Sequence, residues 1–145
     1  MPKRVPNKIP LIAIVDDDES VCRSLKRLIR SLGMAAETYA SGLDFLEQIE
    51  SSNSINPDCV ILDVQMLGLN GIDVQTALRR LRKDIAIVFI TAHDDPAARE
   101  RALAGGAFAL LRKPCNDALI MRTLNAALHH LPEDRPIGDN LLNDS

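Results

Sequence analysis

The 145 residues fit one domain and leave little room for a second. With 46% apolar and 26% charged residues, the chain can bury a core without disulfides or a structural metal. A formal net charge of −3 excludes an overall basic footprint for nucleic acid. The three scattered cysteines, Cys22, Cys59 and Cys115, form no zinc motif and read as reduced thiols in a cytosol.

The chain opens on the basic stretch MPKRVPNK. The apolar run behind it, IPLIAIV, is too short for a secretory signal, and nothing approaches the ~18 apolar residues of a membrane span. Residues 1–9 read as a disordered leader on a cytoplasmic protein. Leu11–Val15 is a short continuous apolar run, the pattern of a strand covered on both faces. Val21, Leu25, Leu28, Ile29 and Leu32 recur at helical spacing, and Gly33 stops that helix. Ala35–Tyr39 is a weak strand. Ser41 caps a helix carrying Leu43, Leu46 and Ile49, and SSNSINP is a loop by its turn residues.

Cys59–Leu62 is the next apolar run and ends at Asp63. After the glycine-containing loop LGLNG, Ile72, Leu78 and Leu81 indicate a helix, although Val74 and Ala77 blur its register. Ile85–Ile90 is the clearest strand and ends at Thr91. Pro96 suits the first turn of a helix running to about Leu103, which Gly105-Gly106 end. Phe108–Leu111 is a fifth run, ending near Lys113-Pro114. Leu119, Ile120, Leu124, Ala127 and Leu128 mark a last helix, and residues 132–145 form a polar tail or the start of a linker. A strand followed by a helix, five times over, predicts an α/β fold with a doubly wound parallel sheet over residues 10–131.

In such a sheet ligands bind beyond the carboxyl ends of the strands. The first strand ends in Asp16 and Asp17, the third in Asp63, the fourth in Thr91 and the fifth in Lys113. In the flavodoxin-like order 2-1-3-4-5, with five helices, these ends are neighbours and three carboxylates converge. Oxygen ligands suit Mg²⁺ or Mn²⁺ better than zinc. A hydroxyl and an ammonium beside the metal match a phosphoryl group, and a carboxylate can serve as its nucleophile.

At IVDDDES, VILDVQMLGLNGIDV, VFITAHDD and LLRKPC the chain resembles the receiver domain of two-component response regulators, most of all receivers joined to helix-turn-helix outputs. The pieces span residues 11–115 in the right order at the right strand ends. The resemblance implies that Asp63 is the phosphoacceptor, served by a sensor histidine kinase or phosphotransfer protein. Asp17 would bind the metal directly, Asp16 mainly through a water, and the backbone carbonyl of Gln65 would be a third ligand. Lys113 would pair with the phosphoryl oxygens, and Pro114 would follow a cis peptide. Thr91 would hydrogen-bond the phosphoryl group and carry the signal. Gln65 and His93 would flank that group and tune its hydrolysis. Asp18 and Glu19 read instead as acids opening the first helix. The fourth helix, fifth strand and fifth helix would form the face for a homodimer or target.

Two departures stand out. Leu67 occupies a position where the family usually has proline. Leu110 sits where the switch aromatic usually lies, with Phe108 two residues earlier on what alternation predicts to be the same strand face. Three other readings compete. Asp16-x-Asp18 also fits the strand-one motif of haloacid-dehalogenase phosphatases, in which Asp16 would be the nucleophile. A DNA-binding regulator would need a basic recognition helix, and none is visible. A receiver-like scaffold that is never phosphorylated would have no need of all five site side chains. The family implies transcription regulation as the wider role, with no membrane contact and no direct nucleic-acid contact by this chain.

Overall fold

The computed structural model describes residues 9–51, 56–81 and 84–129. Within them lie β1 (Leu11–Val15), α1 (Glu19–Ser31), β2 (Ala35–Tyr39), α2 (Gly42–Ser51), β3 (Cys59–Asp63), α3 (Gly71–Arg80), β4 (Ala86–Thr91), α4 (Pro96–Ala104), β5 (Ala109–Arg112) and α5 (Asp117–Leu128). The strands form one parallel sheet in the order β2-β1-β3-β4-β5, as the flavodoxin-like reading predicts. The polar tail, the leader up to residue 8 and the middle of the SSNSINP loop lie outside the described residues.

Strand alternation divides the core into two layers. Ile12, Ile14, Cys59, Ile61, Val88, Ile90, Ala109 and Leu111 face α1 and α5. Ala13, Val15, Val60, Leu62, Ile87, Phe89 and Leu110 face α2, α3 and α4. Because both faces are covered, the central strands are apolar throughout rather than alternating. The edge strand β2 is half exposed, which is why its sequence signal is weak.

Local chemistry sets the helix ends. Asp18 caps α1 from an extended conformation, its carboxylate accepting from Ser20 N–H at 2.9 Å and Val21 N–H at 3.4 Å. Those bonds, with one from the Ser20 hydroxyl, hold its carboxyl below the usual range. Ser41 Oγ accepts from Asp44 N–H at 3.0 Å at the start of α2. Asn70 and Asp73 form a reciprocal capping box on α3. In α3 the buried apolar residues are Val74 and Leu78, while Ile72 and Leu81 are only half-buried.

One expectation fails. Phe108 does not share a face with Leu110: it packs in the α1/α5 layer with Ala109 and Leu111, whereas Leu110 lies in the opposite layer. The strand begins at Ala109, so Phe108 leaves the preceding turn before strand alternation applies. It cannot stand in for an aromatic at position 110. No described helix is long and apolar enough to cross a membrane.

Candidate phosphoacceptor site

All the residues picked out at the strand ends lie at the carboxyl edge of the sheet. Asp16 directly follows β1, with its N–H continuing the ladder to Tyr39 C=O at 3.1 Å. Asp63 ends β3 in register with Ile90, so Asp63 and Thr91 leave neighbouring strands. Thr91 is in turn paired with Arg112, and Lys113 N–H donates to Thr91 C=O at 2.8 Å. The parallel register therefore brings together side chains up to 97 residues apart in sequence, from Asp16 to Lys113.

Lys113 Nζ lies 3.1 Å from Asp16 Oδ2 and 3.4 Å from Asp63 Oδ2. Asp16, Asp17 and Asp63 each place a carboxylate oxygen within 4.8 Å of the others, with Asp16 and Asp63 buried and Asp17 exposed. Asp16 Oδ1 accepts from Asp18 N–H at 2.9 Å. Asp63 Oδ1 accepts from Gln65 N–H at 3.3 Å, and Asp17 Oδ2 from Leu67 N–H at 3.2 Å. The Lys113-Pro114 peptide is cis. Thr91 Oγ1 donates to His93 C=O and accepts from His93 N–H, both at 3.2 Å. The His93 side chain is exposed and joins no metal-ligating cluster among the described residues.

Residues 12–125 match the family model of the response regulator receiver domain. The chain belongs to the receiver family of response regulators. Among curated relatives it is 33% identical over 133 residues to the response regulator protein TodT of Pseudomonas putida, covering 92% of this chain and 57% of that one. It is 39% identical over 120 residues to nodulation protein W of Bradyrhizobium diazoefficiens, covering 81% and 50%. The receiver thus spans about half the length of these relatives. A crystal structure of a response regulator receiver protein from Burkholderia phymatum is similar at a TM-score of 0.75 and 53% identity, over 84% of this chain and 97% of that one. The structure named FixJ-N is similar at 0.77 and 27%, over 86% and 97%.

The electrostatics of the receiver site follow from its burial. Burial, and then the charge of Asp16, push the Asp63 carboxyl up to about 6 against the pull of Lys113. For Lys113, burial works to lower the ammonium's pKa, but the hydrogen bond it donates to Asp16 and the charges of Asp63 and Asp16 outweigh it and hold it raised. Asp16 Oδ2 is buried and meets the Lys113 ammonium at 3.1 Å. Three converging carboxylates against one ammonium leave an excess of negative charge that suits a further cation. The donors are all oxygens, so the residues present fit a hard divalent ion such as Mg²⁺.

The strand-end pattern points to the side chains that converge here but not to the amides that orient them. The Asp18 and Leu67 amides and the Cys22 thiol, which donates to Asp16 C=O at 3.3 Å, carry no signal in a single sequence. The Asp16-x-Asp18 phosphatase reading does not survive. Asp18 is turned to the α1 amides rather than into the cluster, and the family is that of receivers.

Proposed function

We propose that this receiver accepts a phosphoryl group on Asp63 from a sensor histidine kinase or phosphotransfer protein, in a reaction that depends on Mg²⁺ or Mn²⁺. The observation that carries this reading is Lys113 Nζ set between Asp16 and Asp63 beside a cluster of three carboxylates. Asp17, Asp63 and the backbone carbonyl of Gln65 would hold the metal, with Asp16 acting mainly through a water. When bound, the metal supplies charge neutralisation for the phosphoryl oxygens. An Asp63 carboxylate oxygen attacks phosphorus; the new O–P bond forms as the donor's N–P bond breaks, and the nitrogen keeps the electron pair. Lys113 holds the phosphoryl oxygens. Thr91 gives up its bonds to the His93 backbone to donate to the same group.

Gln65 and His93, at the rim of the site, set the rate of hydrolysis. Leu110, buried beneath Thr91, offers no ring to rotate, so the signal leaves through the Thr91–His93 loop. The chain acts as a signalling domain that catalyses only its own phosphorylation and dephosphorylation. Residues 10–131 form the working unit in the cytoplasm, flanked by the leader 1–9 and the tail 132–145, with α4, β5 and α5 as the homodimer or target face. The name of a relative such as the transcriptional regulatory protein FixJ of Azorhizobium caulinodans, 30% identical over 124 residues, supports a role in transcription regulation.

Intact-mass spectrometry after incubation with acetyl phosphate and Mg²⁺ tests this reading. A single phosphoryl adduct is expected, absent in Asp63→Asn and abolished by chelation. An adduct forming in Asp63→Asn at the wild-type rate overturns it.

A further inference from the structure

The two ends of α4 are held very differently. At its N-terminal end Asp95 caps the helix and Pro96 starts it, and residues 92–97 are all exposed. A cavity of about 40 Å³ lies beneath this end, lined by Val64, Thr91, Ala98, Arg99 and Leu110 among others. The helix has no apolar stripe, and its one buried residue is Ala102.

The C-terminal end is locked. Ala107 N–H donates to Ala102 C=O and Gly106 N–H to Leu103 C=O, both at 3.0 Å, with Gly106 at φ +98°, which completes a Schellman motif. Two side chains from α3 then reach across. Gln75, 2% exposed, donates from Nε2 to the same Ala102 carbonyl at 2.9 Å, using its second lone pair. Arg79 donates from Nη1 to Gly105 C=O. A Cβ at Gly105 would meet Gln75 Oε1 at 2.7 Å, so the turn is pressed against the buried amide. A fully buried glutamine is unusual, and its donor here closes no ladder and caps no helix of its own.

We infer that Gln75 and Arg79 fix the C-terminal end of α4 as a pivot, so that displacement of the Thr91–His93 loop swings the N-terminal end of the helix over the cavity. Gln75 is a positioning residue: it touches neither the carboxylate cluster nor Thr91 in any described contact, and acts by fixing one end of a lever. The swing rests on the reading that Asp63 is phosphorylated; the pivot does not. Ala102 lies at the fulcrum because it is the residue both anchored from α3 and buried in the core.

Two measurements separate these claims. Amide hydrogen exchange on the unmodified receiver compares wild type with Gln75→Met/Arg79→Ala, which keeps the buried bulk at 75 and removes both donors. The Gly105, Gly106 and Ala107 amides should exchange at least ten-fold faster in the variant, with those of Val88 and Phe89 in β4 unchanged. Unchanged exchange at 105–107 overturns the pivot, as does equal acceleration in β4, which would mean that the pair holds the whole fold. Amide chemical shifts with and without beryllofluoride and Mg²⁺ test the swing. In wild type, changes across Ala92–Arg101 should exceed those across Leu103–Ala107 several-fold, and in the variant they should spread to the C-terminal end. Equal changes at both ends of wild-type α4 contradict it. If beryllofluoride leaves the Asp63 and Lys113 amides unmoved, the phosphoacceptor reading and the swing fail together, while the exchange result on the pivot stands.

Discussion

Asp63 is buried 3.4 Å from one ammonium and beside a second buried acid, an arrangement that disfavours its charged form. Its carboxyl is raised from 3.8 to about 6, so the folded state holds its proton more tightly than the unfolded chain does. A raised carboxyl lowers stability as pH rises through the interval between the two values, and the loss is complete above about 6. At about 1.4 kcal/mol per pH unit the cost at pH 7 is at most about 3 kcal/mol. In chelated buffer Asp63→Asn should therefore be more stable than wild type by about 1–3 kcal/mol at pH 7. The difference should shrink toward zero as pH falls to about 4. Urea denaturation of both proteins across that range checks the sign; a gap that widens on acidification would contradict it. At this scale the sequence is most legible for the side chains that gather at the carboxyl edge of the sheet, since Asp16, Asp63, Thr91 and Lys113 end apolar runs. It is mute on Cys22, whose thiol meets the Asp16 carbonyl only once α1 is packed on β1.

The elements were legible to the degree that both their faces are covered. β1, β3 and β4 read as unbroken apolar runs because helices lie on each side. The register of α3 is blurred in the sequence because Val74, which looks out of step, is buried with Leu78, while Ile72 and Leu81 are only half-buried. α4 is legible from its boundaries, Pro96 and the Gly pair, rather than from any stripe. Phe108 departs from the face that alternation predicts because it lies one residue before the start of β5. The junction of β3 and α3 carries a constraint that no pattern reveals. A Cβ at Gly71 would collide with the Asp63 carbonyl and lie 3.0 Å from both the Phe89 ring and Val64 Cα. Gly71→Ala should cost about 1–3 kcal/mol through overpacking and slow phosphorylation by displacing Asp63. At Gly33, whose φ is +85° but whose surroundings are open, alanine should cost about 1 kcal/mol and leave phosphorylation untouched. Thermal melts paired with adduct formation rates distinguish the two; equal slowing of phosphorylation by both would contradict the role of Gly71.

Across the whole molecule, the parallel order β2-β1-β3-β4-β5 turns scattered residues into a site. Asp16 and Lys113 are 97 positions apart in sequence and 3.1 Å apart in space. The strand-helix alternation made that order readable, while the β3–α3 loop that brings the Leu67 amide to Asp17 was not, because loop paths follow from packing rather than periodicity. The central claim is that Asp63, and neither Asp16 nor Asp17 after β1, takes the phosphoryl group. Borohydride reduction after phosphorylation by acetyl phosphate converts a phosphorylated aspartate to homoserine, and peptide sequencing by mass spectrometry locates it. The account predicts homoserine at position 63 alone, lost when Mg²⁺ is chelated. Homoserine at position 16 or 17, with 63 unmodified, would contradict it.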